Sequence, residues 1–167
     1  MQKKRNFVAQ KSIGIKDMSQ KEIHLKAVLF DMDGVLFSAT EDAVTLECYP
    51  YGRREQETID SYTVPEGVTH LGLRAFNRSR IREIILPDSL VSIADHAIAW
   101  INELEKLHIP ANVSEITTYS FWELYSLSEI TIDEKNSWYE VVDGVLFDEA
   151  IRTMYLYPLA DRRTSYT

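Results

Sequence analysis

A repeat of 22 to 23 residues constrains this chain more than any other feature of its sequence. Pro65, Pro87 and Pro110 each follow an aliphatic residue, and they stand 22 and 23 positions apart. Apolar residues recur at fixed distances after each proline and end in the spacing L-x-x-L-x-L. A fixed period of this length is typical of solenoids, in which a single repeat cannot bury its own apolar face and neighbouring repeats stack to form the core. The spacing therefore predicts a stacked-repeat fold.

Each repeat is predicted to hold one strand and one return segment. The last two anchors of L-x-x-L-x-L alternate as in a strand, and the first lies at the strand's entry. The proline that follows has no N–H donor, so it should end the strand and turn the chain out of the sheet. The predicted anchors are Ile81, Ile84, Leu86, Leu104, Leu107, Ile109, Leu127, Ile130 and Ile132.

The return segments carry a small residue followed by a larger apolar one, which suits a short helix or 3-10 turn that packs inward. These pairs are Ala75 and Phe76, Ala97 and Ile98, and Ser120 and Phe121. The predicted fold class is therefore an α/β solenoid of three to four repeats, with the strands in one sheet and short helical or 3-10 returns opposite.

A second, longer repeat predicts β-hairpin inserts on both sides of the solenoid. Three stretches recur in the same order: 33–37 as 143–147, 49–50 as 157–158, and 61–63 as 165–167. The first stretch begins with Asp-Gly between apolar runs, which indicates a type I′ hairpin turn. The predicted organisation is a polar tail over 1–25, a hairpin-like segment over 26–61, repeats over 62–135 and a second hairpin-like insert over 136–167. By the same pattern, we expect a further repeat to follow the last residue.

Composition excludes several classes of function. The formal net charge is -8 and the sequence pI is about 5.0, so we expect no basic surface for nucleic acid or anionic lipid. Cys48 is the only cysteine, so no intramolecular disulfide can form, and no Cys/His cluster has the spacing of a zinc site. No apolar run approaches the roughly 18 residues of a membrane span, and polar residues interrupt every candidate export signal after Met1. We expect neither a metal nor another cofactor.

The chain resembles the BspA-like leucine-rich repeat proteins of bacterial surface-antigen type. The resemblance rests on residues 61–68 (SYTVPEGV), 75–76 (AF), 84–90 (IILPDSL) and 108–113 (HIPANV), and it extends over about 33–167. It implies a short leucine-rich-repeat solenoid with β-hairpin extensions between runs of repeats. It also implies a bacterial surface or secreted location and a non-catalytic role in protein interaction or adhesion.

A different resemblance covers residues 26–38 (KAVLFDMDGVLFS), which are similar to the first motif of the haloacid dehalogenase superfamily. That resemblance implies that Asp31 attacks phosphorus and Asp33 protonates the leaving group, with Mg²⁺ offsetting the negative charges. After Ser38 no α/β domain follows to supply the other phosphate- and metal-binding groups, and the second insert has Val141 where Asp31 would stand. A Mg²⁺-dependent phosphatase remnant is therefore the alternative to an interaction module.

Residues between the anchors should face solvent on the predicted sheet, and they form the candidate binding face. These residues are Arg82, Glu83, Ile85, Glu105, Lys106, His108, Ser128, Glu129 and Thr131. Their mixture of both charge signs is also that of any solvated surface. The expected partner is a protein or a glycan, and open solenoid ends favour self-association.

The aromatic residues around the return segments have two interpretations. We expect them to pack in the core or at its rim, because aromatic side chains dominate core area. The alternative is an exposed aromatic patch that binds a partner or a glycan. The residues concerned are Trp100, Trp122, Trp138, Tyr119, Tyr125 and Tyr139, and the four histidines are expected to have ordinary packing or surface roles.

Overall fold

Short parallel strands stack into a three-sided coil in the middle of the chain. The structure, a computed structural model, describes residues 34–49, 58–150 and 153–160, together with the backbone of four N-terminal strands. The strands are β1 (Val8–Gln10), β2 (Ile15–Lys16), β3 (Glu22–Ile23), β4 (Ala27–Phe30), β5 (Leu36–Ala39), β6 (Val44–Cys48), β7 (Ile59–Thr63), β8 (His70–Leu71), β9 (Ile81–Ile85), β10 (Ser92–Ile93), β11 (Ile98–Ala99), β12 (Lys106–Ile109), β13 (Glu115–Ile116), β14 (Phe121–Trp122), β15 (Glu129–Ile132), β16 (Tyr139–Val142), β17 (Val145–Asp148) and β18 (Met154–Leu156).

Each side of the coil is a parallel sheet. The first side has the order β15-β12-β9-β7, the second joins β8, β10 and β13, and the third pairs β11 with β14. Equivalent residues lie opposite each other, so Leu107 pairs with both Ile84 and Ile130. Neighbouring strands lie about 4.8 Å apart. Equivalent side chains of successive repeats therefore form columns along the axis of the coil, and each turn of the coil adds one side chain to each column.

The predicted anchors fill the interior of the coil, as the repeat spacing requires. Eight of the nine strand anchors are buried, and Ile132 in the last strand of the first side is half-buried. The small and large apolar pairs of the return segments are buried as well. Burying one Leu or Ile side chain contributes about 1.5–3 kcal/mol, so stacked repeats supply the stability that one repeat lacks.

The return segments differ from the prediction, because no helix or 3-10 turn occurs within residues 58–150. They consist instead of hydrogen-bonded turns and two-residue strands. The Ala75 N–H donates to Gly72 O at 3.1 Å, but the next N–H, of Phe76, donates to Ala97 O in the following turn of the coil at 2.8 Å. A helix would need that donor for its own carbonyl groups. Pairing between turns of the coil therefore takes the place of helical hydrogen bonds.

Residues in the left-handed conformation recur at two equivalent positions in the third side. Arg74 and His96 have φ of 59° and 54°, and Arg78, Trp100 and Glu123 have φ of 59°, 53° and 50°. This conformation costs an L-residue roughly 1–2 kcal/mol. None of the five is glycine, so the stacking of the repeats holds these residues in a backbone conformation that their residue types disfavour.

Repeats of unequal length stay in register because the extra residue lies at a corner of the coil. The Arg78 N–H donates to Ala99 O at 3.0 Å, which places Arg78 opposite Trp100, 22 positions on. Ile84 lies opposite Leu107, 23 positions on. The added position therefore falls where the third side turns into the first.

Both Asp-Gly inserts form antiparallel strands. In the second insert, Asp143 and Gly144 have φ of 49° and 77° between β16 and β17, as a type I′ turn requires. In the first, Gly34 has φ of 79°, and Asp33 lies outside the described residues. Each predicted hairpin extends to a third strand, giving β4-β5-β6 and β16-β17-β18, and β6 also pairs in parallel with β8. The first insert therefore continues the second side of the coil.

The segment 1–25, expected to be a polar tail, contains β1, β2 and β3. Strand β1 pairs antiparallel with β4, and β2 pairs antiparallel with β3. The first insert therefore gains a further strand from this segment.

Tyr139 closes the second side of the coil beside its last strand. Its hydroxyl accepts a hydrogen bond from the Ile116 N–H at 2.7 Å and lies 3.3 Å from the Ser114 carbonyl oxygen, to which it donates. Burial raises the pKa of Tyr139. The Ala160 N–H donates to Leu127 O at 2.9 Å, so the chain returns from the second insert to the coil.

Candidate functional site

The predicted binding face is the outer surface of the first side of the coil. All nine of its predicted residues are exposed, and they lie on β9, β12 and β15 or directly before these strands. Ile84, Leu107 and Ile130 point inward between them, because successive side chains of a strand alternate between its two faces. The structure thus brings all nine residues onto one surface.

A row of alternating charge crosses this face. Lys106 lies opposite both Glu83 and Glu129 in the sheet, and its Nζ is 3.1 Å from Glu129 Oε2. The hydrogen bond and the charge of Glu129 raise the pKa of Lys106. Arg82 Nη1 lies 3.0 Å from Glu105 Oε1 in the next row. Exposed ion pairs of this kind add little to stability, so these side chains can exchange their contacts for those of a partner.

A shallow depression occupies the centre of the face. Six of the nine predicted residues line it: Glu83, Ile85, Lys106, His108, Glu129 and Thr131. Ile85 is 43% exposed although it is apolar, and His108 Nδ1 lies 2.9 Å from Thr131 Oγ1 across the adjacent strands. The depression therefore combines an apolar side chain with hydrogen-bonding groups and charges of both signs.

The described residues contain no group of three or more His, Cys, Asp or Glu side chains that could hold a metal ion. In the same part of the chain, no helix is long and apolar enough to cross a membrane. Asp31 and Asp33, the residues of the phosphatase alternative, lie outside the described residues. The strand just before them, β4, pairs antiparallel with β1 and β5, whereas the alternative would place it in a doubly wound parallel sheet.

Most of the aromatic residues considered in the sequence lie at the surface and not in the core. Tyr119, Trp122, Tyr125 and Trp138 are exposed, and Trp100 is half-buried. Tyr139 alone among the six is buried, and it packs edge-on against Tyr155 with ring centroids 5.2 Å apart. Of the expected core or rim positions, the four exposed residues therefore lie at the rim, and Tyr139 lies in the core.

His96 is the residue that sequence reasoning missed, because it was expected to have an ordinary role. Its ring stacks on Trp100 and on Tyr119, with centroids 5.3 and 6.1 Å apart, and it meets Trp122 edge-on at 6.4 Å. Its position one repeat before Tyr119 was the only available signal. We call these four residues the aromatic stack.

Comparisons with known proteins identify the repeat. The sequence pattern of the BspA type leucine rich repeat region matches residues 54–154, in six copies. A leucine rich cell surface protein from Faecalibacterium prausnitzii A2-165 has a similar structure, with 33% identity and a TM-score of 0.52 over 59% of this chain and 26% of that chain. The pneumococcal vaccine antigen PcpA is 25% identical, with a TM-score of 0.41 over 64% of this chain and 31% of its own.

No curated protein matches the sequence. The chain spans about a quarter to a third of the length of the two proteins of known structure. The match to the repeat region extends over more than half of the chain and includes all strands of the first side of the coil. The chain therefore belongs to the BspA-type leucine-rich repeat family.

Proposed function

We propose that this chain is a non-catalytic protein-binding module of a bacterial cell surface and that it binds through the first side of its coil. Its family and the 33%-identical leucine rich cell surface protein support a role of this kind. The family alone does not fix a partner, because function resides in sites and not in folds. The proposal therefore depends on the face itself.

The exposed Ile85 beside the charged row is the observation that carries the proposal. An apolar side chain that is 43% exposed within a rigid sheet gains free energy when a partner covers it. Glu83, Lys106 and Glu129 form a charged row on one side of it, and these charges reject partners of the wrong charge pattern. Ile85 supplies affinity and the charged row supplies specificity.

The sheet makes this face rigid before a partner arrives. Parallel ladders on both edges of β12 hold Lys106 opposite Glu83 and Glu129, and the ladder to β15 holds His108 opposite Thr131. A preorganised surface loses little conformational entropy on binding. We therefore expect little backbone change in this sheet when the partner binds.

Site-specific photo-crosslinking tests the proposal. The photoreactive residue p-benzoylphenylalanine replaces Ile85 in one variant and Glu115, exposed on the second side, in a matched control. Both are incubated with cells of the source bacterium and with the cells that it contacts. We expect a crosslinked polypeptide from position 85 only, competed by the unlabelled wild-type chain and not by Lys106→Glu.

Equal crosslinking from positions 85 and 115, or none from position 85, contradicts the proposal. If the crosslinked polypeptide is a second copy of this chain, the face mediates self-association and does not bind a different protein. If Lys106→Glu competes for the crosslink at position 85 as strongly as the wild type does, the charged row is not part of the binding site.

A further inference from the structure

The aromatic stack forms a second surface, on the third side of the coil and apart from the proposed binding face. The planes of His96 and Trp100 are 10° apart and those of His96 and Tyr119 are 7° apart, so three rings lie nearly parallel. The Trp122 ring is inclined by 61° to that of His96.

Backbone pairing between turns of the coil builds the aromatic stack. The His96 N–H donates to Tyr119 O at 2.7 Å, and the Trp100 N–H donates to Trp122 O at 2.9 Å. Both His96 and Trp100 are in the left-handed conformation, which closes the turns that carry them. Four rings thus come from two adjacent turns of the coil, on a backbone whose hydrogen bonds fix their spacing.

Two of these rings remain open to solvent. Tyr119 is 54% exposed and Trp122 is 46% exposed. A Tyr or Trp ring combines an apolar face with a polar hydroxyl or N–H edge, and such rings are common at recognition surfaces. The aromatic stack is therefore a preorganised platform for a ligand that has a flat apolar face and a polar rim.

Two arginines extend the platform at one end. Arg74 and Arg78 occupy, one turn of the coil earlier, the positions equivalent to His96 and Trp100. Both are exposed, and neither guanidinium group has an ion pair among the described residues. One turn of the coil spans about 4.8 Å, so these cations lie within a short ligand's reach of the rings.

Two carboxylates are also close to this surface. Asp95 precedes His96 and accepts a hydrogen bond from the Thr117 hydroxyl, and Glu123 follows Trp122 on the far turn of the coil. The unpaired cations are therefore concentrated at the end that carries Arg74 and Arg78. A ligand with one acidic group fits this polarity when that group points toward the arginines.

We propose that the aromatic stack and the two arginines bind an oligosaccharide that contains a carboxylated sugar. The C–H face of a sugar ring would lie on Trp122 and Tyr119, and its carboxylate would pair with Arg74 or Arg78. A sugar provides the flat apolar face and the polar rim together, and its carboxylate provides the charge that the arginines lack. The net charge of -8 opposes a long polyanion such as single-stranded nucleic acid, although stacking bases would fit the rings.

Nuclear magnetic resonance titration with a panel of saccharides tests this proposal. The panel pairs sialyllactose with lactose, and an oligogalactose that ends in one galacturonate with the neutral oligogalactose. We expect the acidic member of a pair to bind more tightly, and Trp122→Ala to weaken that binding about two- to twelvefold, the equivalent of losing one aromatic contact. Arg78→Asn, in which Asn tolerates the left-handed conformation, should weaken binding of the acidic sugar and leave that of its neutral counterpart unchanged.

The matched control is Trp138→Ala, which removes an equally exposed tryptophan from the second insert. It should leave binding unchanged, and circular dichroism of all three variants should show the wild-type fold. No binding across the acidic panel, or equal binding by wild type and Trp122→Ala, overturns the proposal. Tighter binding of an oligothymidylate than of any acidic sugar overturns it in favour of nucleic acid. Because the proposed protein-binding face lies elsewhere, none of these outcomes affects that proposal.

Discussion

Two buried serines with different hydrogen bonding make opposite predictions. Ser79 and Ser120 are the only buried polar residues in the described part of the chain. Ser120 Oγ donates to Ile93 O at 2.6 Å and accepts from the Thr117 N–H at 2.9 Å. Ser79 Oγ is buried and has no hydrogen-bond partner in the structure. Replacing each with alanine removes the same atom from two different environments.

The expected free energies of unfolding follow from these partners. Ser120→Ala leaves the buried Ile93 carbonyl and the partly buried Thr117 N–H without the hydroxyl, and we expect a loss of about 1–3 kcal/mol. Ser79→Ala removes a hydroxyl that lost its water on folding and gained nothing, and we expect a gain of about 1 kcal/mol. The two variants should therefore differ by roughly 2–4 kcal/mol although their compositions are identical.

Urea unfolding measures both values. The midpoint should fall for Ser120→Ala and rise for Ser79→Ala, with the same dependence on urea as in the wild type, because neither change alters the surface exposed on unfolding. Thermal unfolding should show the same order, with a shift of roughly 2–4 °C for each kcal/mol in a chain of this size. Midpoints that shift in the same direction by the same amount would refute the reasoning.

Three further predictions concern Tyr139, Glu123 and Asp31. Tyr139→Phe should cost about 1–2 kcal/mol, because the Ile116 N–H loses its acceptor. Burial raises the pKa of Tyr139 above its ordinary 10.0. The contribution of the protonated hydroxyl to folding stability is therefore complete below pH 10.0 and is lost as the pH rises through the raised pKa. Thermal melts above pH 10.0 should show this loss in the wild type and not in Tyr139→Phe. Glu123→Gly should be neutral or stabilising by up to about 1 kcal/mol and Glu123→Val destabilising, because Glu123 has a φ of 50° that glycine adopts freely and a β-branched residue does not; urea midpoints in the reverse order would contradict this. Asp31→Asn should leave Mg²⁺-dependent hydrolysis of an aryl phosphate at the background of the wild type, and an activity lost in the variant would make Asp31 a nucleophile.

The residue spacing was sufficient to predict a stacked-repeat solenoid and the outward-facing residues of its first side, but not the three-sided shape of the coil. Side chains alternate along a strand, so each one points either into the core or toward solvent, and equivalent residues in the three repeats point the same way. Leu107 and His108 illustrate this, since the first is buried and the second is exposed beside it. The Asp-Gly turn at Asp143 was predictable for a similar reason, because few backbone conformations suit that pair.

The returns and the aromatic stack could not be predicted in the same way. Ala97 followed by Ile98 fits a helix and a turn equally well, and the hydrogen bonds that exclude the helix run to another repeat. The stack forms because His96 and Trp100 adopt the left-handed conformation, which their residue types do not favour. Both features depend on contacts between repeats, which spacing within one repeat does not reveal.

The corner that absorbs the extra residue has an evolutionary consequence. A single inserted residue within β9 or β12 would turn every following side chain of that strand to the opposite face and empty the core. At the corner between Trp100 and Leu104, the same insertion leaves all three sides in register. Gain and loss of single codons can therefore accumulate at the corners while selection removes them from the sides. Differences in length between the repeats of such a coil therefore mark the positions of its corners. The corners are also the places where a designer can add residues to a repeat without shifting the register of its strands.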